Sequence, residues 1–391
     1  MTDIHPQQPP FKVVEVTGKT GQRDFLTLPE RLHSGDPAWV PPLYLEQQQR
    51  VFANAPLAAH SQIKAWVAYR AGQACGRITA QLDNLQPEVE GRTLGYFGMI
   101  EAEDEPRLFA QLLQTAEHWL LNQGAQAVRG PYNLSINEEV GLLVENFQNP
   151  PFFMMGHAPE YYTQRLEEQG YRGVKDLLTY IMAPNFEAPE IMKRLARRAS
   201  RTVSVRPLRR RGKAAEFATL RSVFNNAWSE NWGFVPFTQD EFSEMGRVLS
   251  LLVDRNYVQI AEVEGEVVAF IVALPNINEA IRDLDGRLFP LGWLKLLWRL
   301  KVKSPSSARV ALMGVRKSYQ HSRLGPALAF MVIDAARKAL SQNGVETVEM
   351  GWILEDNDGM RHIIEAIGGK IYKRYRIYQK ALLPENTASQ S

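Results

Sequence analysis

The sequence has 391 residues, of which 45% are hydrophobic and 23% are charged. These proportions are ordinary for globular proteins, and the length suffices for two domains that each bury a core. The formal net charge of +2 gives no whole-molecule indication of nucleic-acid binding. The single cysteine, Cys75, excludes an intramolecular disulfide and a cysteine-based zinc cluster.

The ends of the chain and its apolar runs bear on location. The N-terminus lacks the basic-then-apolar run of a signal peptide, and no uninterrupted apolar segment reaches the roughly 18 to 20 residues that span a bilayer. We therefore expect a soluble, cytoplasmic protein. We also expect no metal centre.

The first half of the chain predicts alternating strands and helices. Apolar residues alternate or recur at helical spacing between turn residues. The predicted elements are strand 11–16, a helical stretch from Asp24, a hairpin of strands 66–70 and 75–82, strand 93–100, helix 107–122 and strand 125–128.

A basic run follows the first half, and it is interpreted as the linker 184–203 and the start of a second domain. Four of its arginines share a helical face and could grip phosphates. Few aromatic residues are interleaved with them, so we expect no nucleic-acid partner. The run comprises Lys193, Arg194, Arg197, Arg198, Arg201, Arg206, Arg209, Arg210, Arg211 and Lys213.

The second half predicts helix 214–227, an aromatic loop at 228–241, and a hairpin of strands 257–263 and 267–274. An insertion then contains a basic amphipathic segment, residues 288–303. Such a segment could lie on an anionic membrane, cover an acyl tunnel or pack between domains. We expect a helix whose tryptophans, Trp293 and Trp298, are at least partly buried against protein, with membrane binding absent or weak.

The stretch 309–343 carries the most chemistry. Residues 309–315 predict a buried strand, the next residues a polar loop, and residues 327–343 a helix stopped by Gly344. The first amides of a helix lack internal partners and lie at the positive end of its dipole, so such a loop can bind anionic oxygens. Gly325 would allow close approach to the backbone, and Pro326 suits a first helical turn. The alternative is an ordinary strand-to-helix connection.

The residues of this loop carry a resemblance. The pattern Val315, Tyr319-Gln320 and Arg323-x-Gly325-x-Ala327-Leu328 resembles the acyl-CoA pyrophosphate loop of the GCN5-related N-acetyltransferases (GNATs), usually Gln/Arg-x-x-Gly-x-Gly/Ala. As in that family, the chain continues through strand 346–353, Asn357, a helix, Gly368-Gly369 and a last strand through Tyr378. It departs from the pattern at Arg323, where the family prefers glycine, and at Ile364, where many members place a tyrosine.

The resemblance implies an α/β fold of two GNAT-like domains, each a twisted mixed sheet flanked by helices. We assign residues 1–183 to a degenerate GNAT-like domain and residues 204–391 to the acyl-CoA-binding catalytic domain. The order hairpin, strand, helix, strand occurs in both halves, which indicates internal duplication. In the first copy the loop 101–107 is acidic and lacks glutamine and glycine, so it would repel a pyrophosphate.

The implied activity is transfer of an acyl group, most often acetyl, from CoA to a primary amine of a small molecule or peptide. The cofactor would be acetyl-CoA or another acyl-CoA, and the protein a monomer or homodimer. The loop after helix 214–227 would form the acceptor wall, with Trp228, Asn231, Trp232 and Phe234. The expected CoA-binding residues are Met313, Gly314, Val315, Gln320, His321, Ser322, Arg323, Leu324, Gly325, Pro326, Ala327 and Asn357.

The resemblance requires a group that deprotonates the amine and one that protonates the leaving thiolate. Glu349 and Glu355, on or just after the neighbouring strand, are the candidate bases. Tyr372, Tyr375 or water could supply the thiolate proton, and Asn357 occupies the family's asparagine position. The alternative is a non-catalytic acyl-CoA-binding or regulatory protein at a membrane surface.

Overall fold

The computed structural model describes residues 10–53 and 55–382. Its elements follow the predicted alternation of strands and helices. In the first part of the chain they are β1 Lys12–Glu15, α1 Gly18–Leu32, α2 Tyr44–Phe52, β2 Ser61–Arg70, β3 Gln73–Asp83, β4 Leu94–Ala102, α3 Pro106–Asn122, β5 Ala127–Gly130, β6 Tyr132–Asn133, β7 Glu139–Val140, β8 Leu142–Glu145, α4 Tyr161–Glu168 and β9 Arg172–Met182.

The second part of the chain is richer in helix. Its elements are α5 Glu190–Ala199, β10 Val203–Pro207, α6 Lys213–Trp228, α7 Gln239–Leu252, β11 Val258–Val263, β12 Glu266–Pro275, α8 Ile277–Ile281, α9 Gly292–Trp298 with a π-helical continuation Arg299–Lys303, β13 Ser307–Val315, α10 Lys317–Gln320, α11 Gly325–Gln342, β14 Thr347–Leu354, α12 Asp358–Ala366 and β15 Lys370–Ala381.

The chain forms two compact units. One contains residues up to 142, 156–174 and from 376, and the other contains 143–155 and 175–375. The units therefore follow other boundaries than 183 and 204. Residues 175–182 join the second unit because β9 pairs there with β14, and the predicted linker holds α5, which packs against α11 through Met192 and Leu195.

The strands of each unit are hydrogen-bonded in the same pattern. The first follows the order β1-β2-β3-β4-β5-β15, and the second follows β10-β11-β12-β13-β14-β9. In both orders three antiparallel pairings are followed by one parallel and one antiparallel pairing. The predicted duplication is confirmed by this match, and in both units a long helix, α3 or α11, joins the parallel strands.

The last strand of each order comes from the opposite half of the chain. Residues 378–381 of β15 pair with β5 in the first unit, whereas β9 pairs with β14 in the second. Sequence periodicity predicts where strands are, but it does not predict which strands pair with one another when they are distant in sequence. This exchange explains why boundaries drawn in chain order differ from the compact units.

The core of the second unit lies on both faces of its sheet. From Val267 to Pro275 every residue of β12 is buried, as expected for a strand covered on both sides. Helix α11 packs on β11 and β12, burying Leu328, Val332 and Ile333 along one side. Helix α6 contacts β12 and β13 and also packs against α7.

The insertion is helical from Gly292 to Lys303, as predicted. Its tryptophans are only partly covered, with Trp293 41% exposed and Trp298 52% exposed. Among the described residues, no helix combines the length and apolar character needed to cross a membrane.

Helix α7 begins with a capping box, and this gives a test of the fold. The Thr238 hydroxyl accepts from the Glu241 amide at 3.3 Å, and the Glu241 carboxylate accepts from the Thr238 amide at 2.9 Å. Replacing Thr238 with alanine removes one reciprocal bond, so we expect a loss of about 1 kcal/mol in the free energy of unfolding. Urea denaturation measures this, and Thr219→Ala, in the interior of α6, is the control for loss of an exposed threonine hydroxyl.

Candidate active site

The site begins where two parallel strands part. Strands β13 and β14 pair only from Ser307 to Val310 and from Thr347 to Met350. Beyond that point β13 continues beside β12 after a register shift, and β14 continues beside β9 after another. Backbone groups on the facing edges of residues 311–315 and 351–354 therefore lie outside the parallel ladder. Such groups require other partners, which makes the opening a place for an extended polar ligand.

The loop after β13 leads into the long helix as predicted. Leu328 is the first amide that bonds inside α11, to the carbonyl of Leu324 at 2.9 Å. By helix geometry the amide of Ala327 then points out of the first turn, with the positive end of the dipole behind it. His321, Arg323 and Pro326 are exposed around this turn. The arrangement suits an anionic group such as a pyrophosphate.

Gly325 and Gln320 shape this loop from within. A Cβ on Gly325 would lie 2.5 Å from the Tyr319 carbonyl oxygen and 2.8 Å from that of Gln320, so any side chain here displaces backbone. The Gln320 side chain donates to the carbonyls of Val315 at 2.8 Å and Ala227 at 3.1 Å. Both residues hold the loop in shape, and a larger residue at 325 would perturb the loop before it met any ligand.

Glu349 lies at the apex of the opening. Glu349 pairs in register with Arg309, one residue before the last pair of the parallel ladder, and it is 0% exposed. Burial raises the pKa of Glu349 to about 7, although Arg309, Thr179 and Lys373 favour the ionised form. Thr179 acts on the carboxyl through its side-chain hydroxyl, and Arg309 and Lys373 act through their charges. A buried carboxyl in this state is poised to exchange a proton near neutral pH.

Two buried cations stand beside Glu349. The Arg309 guanidinium donates to the carbonyls of Phe153 at 3.1 Å and Gly351 at 2.9 Å. The Lys373 ammonium donates to the carbonyl of Asn149 at 2.6 Å. Backbone carbonyls thus solvate both cations, which moderates the cost of burying them. Sequence reasoning missed both residues, and a basic residue inside an apolar strand pattern was the available signal.

The other predicted catalytic residues have different surroundings. The Glu355 carboxylate accepts from the Asp176 amide at 3.0 Å, and the Asn357 side chain caps α12 by accepting from the Met360 amide at 3.1 Å. Both groups are engaged in local structure. Tyr372 is half-buried, and burial together with the nearby Glu349 charge raises its pKa to about 12. The charge of Glu349 thus acts on Tyr372, whereas Glu355 and Asn357 lie just after the end of β14.

The predicted acceptor wall contacts both diverging strands. The Trp228 indole donates to the carbonyl of Met313 on β13 at 2.8 Å, and its ring meets Trp352 of β14 edge-on at 5.8 Å. Trp232 lies 5.7 Å from the Lys175 ammonium, which binds Asp356 at 2.8 Å. Asn231 and Phe234 are the two ends of a turn that contains Trp232, since the Phe234 amide bonds to the Asn231 carbonyl at 3.1 Å.

An apolar cavity lies beside the same strand, between the sheet and helices α6 and α7. Its volume is about 320 Å³. Leu312 of β13 forms part of its wall, and Arg210, Lys213 and Arg255 are its cationic members. Ser250, Asp254 and Asn256 add further polar groups to the wall. Its hydrocarbon part comes from Leu208, Phe217, Leu220, Phe242, Met245, Leu249, Val253, Val258, Val272 and Leu274. Sequence reasoning left α7 unassigned, although Thr238-x-x-Glu241 is a capping-box signature.

The corresponding loop of the first unit is acidic, as predicted, but its carboxylates are paired. Glu103 binds Arg70 at 2.7 Å, and Asp104 binds Arg165 at 2.7 Å. Glu101 accepts from His33 and Tyr162, both at 2.8 Å. These pairs weaken the repulsion expected from the sequence, and they also occupy the loop with internal contacts.

The architecture matches solved acetyltransferase structures. The tandem GNAT protein of the clavulanic acid biosynthesis pathway aligns with 96% of this chain and 100% of its own, at 12% identity and a TM-score of 0.54. A GCN5-related glucosamine N-acetyltransferase region of a fungal multi-domain β-N-acetylglucosaminidase gives a TM-score of 0.59 at 15% identity, where the chain spans 38% of that protein. The fold is therefore that of the GNAT acyltransferases, in two copies.

Sequence comparison gives a narrower placement. The chain is 46% identical over 365 residues to protein YghO of Escherichia coli K12, covering 94% of it. It is 44% identical over 375 residues to the bacterial ceramide synthase of Caulobacter vibrioides, covering 98% of it. No model of a known protein family matches the sequence. The chain belongs to the family that these two proteins represent.

The buried carboxyl makes stability depend on pH. The pKa of Glu349 rises from 4.5 to about 7 on folding, so its contribution is intact below pH 4.5 and is lost as pH rises through about 7. At pH 8 the buried charge costs about 3 kcal/mol by this difference. Glu349→Gln removes the charge, and we expect the melting temperature of the variant relative to the unmodified protein to be higher at pH 8 than at pH 5.

Glu346→Gln, an exposed change just before β14, is the control and should show no such dependence. If the difference in melting temperature between Glu349→Gln and the unmodified protein is the same at every pH, the carboxyl does not have a raised pKa.

Proposed function

We propose that this protein transfers a fatty acyl group from CoA to the primary amine of a long-chain amino alcohol, forming an amide and free CoA thiol. The GNAT fold supports acyl transfer from CoA, and the 44% identical relative is named a ceramide synthase. A ceramide is a fatty amide of a long-chain amino alcohol. Two hydrocarbon tails then need apolar surroundings, which an acetyltransferase of small amines does not require.

The observation that carries the proposal is Glu349. A fully buried carboxyl is costly to ionise, and carboxyls whose pKa is raised in this way are concentrated at functional sites. A pKa of about 7 makes the carboxylate available as a base at neutral pH. Its place at the apex of the parted strands puts it at the inner end of the opening.

The chain's own groups divide the work. Acyl-CoA supplies the activated acyl group as a thioester. The Glu349 carboxylate accepts the first proton that the ammonium of the acceptor must lose, and the freed nitrogen forms the new C–N bond as the C–S bond breaks. The nitrogen then loses a second proton, which balances the proton gained by the leaving sulfur. Amides along residues 311–315 can donate to the carbonyl oxygen where negative charge develops. Arg309 and Lys373 favour the ionised form of Glu349, which is the form that can accept a proton.

The leaving sulfur must gain a proton, and Tyr372 is the proposed donor. The family's usual tyrosine position holds Ile364, which is 0% exposed and packs in the core. The raised pKa of Tyr372, about 12, keeps its hydroxyl protonated at neutral pH. The Glu349 charge contributes to the raised pKa of Tyr372, which supports placing the proton donor and the proton acceptor in one site.

The apolar cavity is the proposed seat of the acyl chain. It shares Leu312 with β13, the strand proposed to carry the thioester, and its wall is hydrocarbon over most of its extent. A space of about 320 Å³ is far larger than an acetyl group requires. The cavity therefore supports a fatty acyl group over acetyl as the transferred group.

The direct test mixes purified protein with palmitoyl-CoA and sphinganine, with thiol release and the amide product measured together. We expect both to appear in equal amounts. A calorimetric signal for palmitoyl-CoA without thiol release would instead support the second candidate, a non-catalytic acyl-CoA-binding protein. The observation that favours the non-catalytic candidate is Ile364, which is buried and cannot donate a proton.

Glu349→Gln should lower kcat by about 100-fold or more, because general-base catalysis is typically of that size. The unmodified enzyme should gain activity as pH rises through about 7, since Glu349 must be ionised. The variant should lose this acid limb.

Glu355→Gln distinguishes the two carboxylates predicted from sequence, because Glu355, just after β14, accepts a hydrogen bond from the Asp176 amide on β9. It should retain the acid limb of the pH profile. If Glu355→Gln loses the limb and Glu349→Gln keeps it, the base is misassigned.

Met245→Trp tests the cavity, since a larger ring would fill space along its wall. We expect kcat/KM to fall about tenfold or more for palmitoyl-CoA and to change little for hexanoyl-CoA. Met331→Trp is the matched control, because Met331 is also half-buried against the same core and lies outside the cavity wall. Equal losses for both acyl-CoAs would place the chain elsewhere.

A further inference from the structure

The amphipathic segment, residues 287–303, is unusual in charge. It contains Arg287, Lys295, Arg299, Lys301 and Lys303, and it contains no acidic residue. Asp283, just before it, pairs with Lys295 and with Arg299. Lys301 and Lys303 at the C-terminal end are exposed, as is Arg287 at the start. Positive charge is therefore left at both ends of the segment.

The inner side of the segment is fixed to the protein. Leu296 and Leu300, one turn apart, are each 8% exposed. The Arg299 guanidinium donates to the Ala280 carbonyl at 2.7 Å, next to its ion pair with Asp283. The helix is thus held by one narrow apolar seam and one polar anchor, and this fixes which side faces outward.

The outer side is also apolar. Leu294, Trp298 and Val302 recur at helical spacing, and all are exposed. Phe289 and Leu291, in the turn before the helix, are 72% and 67% exposed. A contiguous apolar surface of this kind is rare on a monomer in water and indicates a binding surface.

The chemistry favours a bilayer surface over a second copy of the chain. In a two-fold symmetric dimer the same patch meets itself, so its cations would face one another. An anionic bilayer places hydrocarbon against the apolar stripe and phosphate groups beside the flanking lysines and arginines. Tryptophans are favoured at that depth because the ring is apolar and the indole N–H is polar.

We propose that residues 287–303 dock this protein peripherally on an anionic phospholipid surface. The helix lies in the plane of the interface, with Leu294, Trp298 and Val302 inserted among the acyl chains and Lys301 and Lys303 at the headgroups. This inference does not depend on the acyltransferase assignment. It replaces the sequence-based expectation of absent or weak membrane binding, because the tryptophans are half-exposed.

The test is flotation of the full-length protein with vesicles of phosphatidylcholine containing phosphatidylglycerol, and with vesicles of phosphatidylcholine alone. We expect binding to the anionic vesicles, weakened by high salt because the headgroup attraction is screened. Leu294→Glu combined with Trp298→Glu should reduce the bound fraction at least tenfold. Lys301→Glu combined with Lys303→Glu should reduce binding to anionic vesicles without affecting the melting temperature.

Leu45→Glu is the matched control, since Leu45 on α2 is 44% exposed and Leu294 is 48% exposed. It should leave flotation unchanged. The proposal is overturned by absence of binding to anionic vesicles, by equal binding to both vesicle types, or by equal loss in Leu45→Glu. It is also overturned if sedimentation shows a dimer that Leu294→Glu dissociates while vesicles capture nothing.

Discussion

The parting of β13 from β14 is the constraint on which the rest of the second unit depends. Paired strands satisfy one another's amides and carbonyls, and here the pairing stops after Val310 and Met350. The freed edges must find partners, and one carbonyl, that of Met313, accepts the Trp228 indole. Register shifts on the outer neighbours of both strands allow the divergence without breaking the sheet elsewhere.

Charge placement follows from the same geometry. A carboxyl at the point of divergence is enclosed by both strands, so burial acts on Glu349 more strongly than its two cationic neighbours do. Arg309 and Lys373 are in turn solvated by carbonyls of segment 143–155 and of β14. The result is a small, dry, charged centre in a hydrocarbon surrounding, where a change of one proton has a large electrostatic effect.

Much of the architecture was predictable because it rests on local patterns. Alternation and helical spacing gave β13, α11 and β14 within two residues, and the loop motif gave the family. The partners of β9 and β15 were not predictable, since sheet membership depends on contacts distant in sequence. The positions of Arg309 and Lys373 beside Glu349 were not predictable for the same reason, because they depend on contacts among three strands and a loop that are distant in sequence. Order along the chain suggested catalytic roles for Glu355 and Asn357. In the structure their side chains accept hydrogen bonds from the backbone amides of Asp176 and Met360.

The exchange of edge strands has a consequence for synthesis of the chain. In the first unit, β5 pairs on one side with β4 and on the other with residues 378–381. Those residues are translated after every other strand of both units, so β5 has an unpaired edge until they appear. Exposed edges recruit other strands, including those of neighbouring nascent chains. We therefore expect the edge of β5 to be open to such pairing until β15 has been translated.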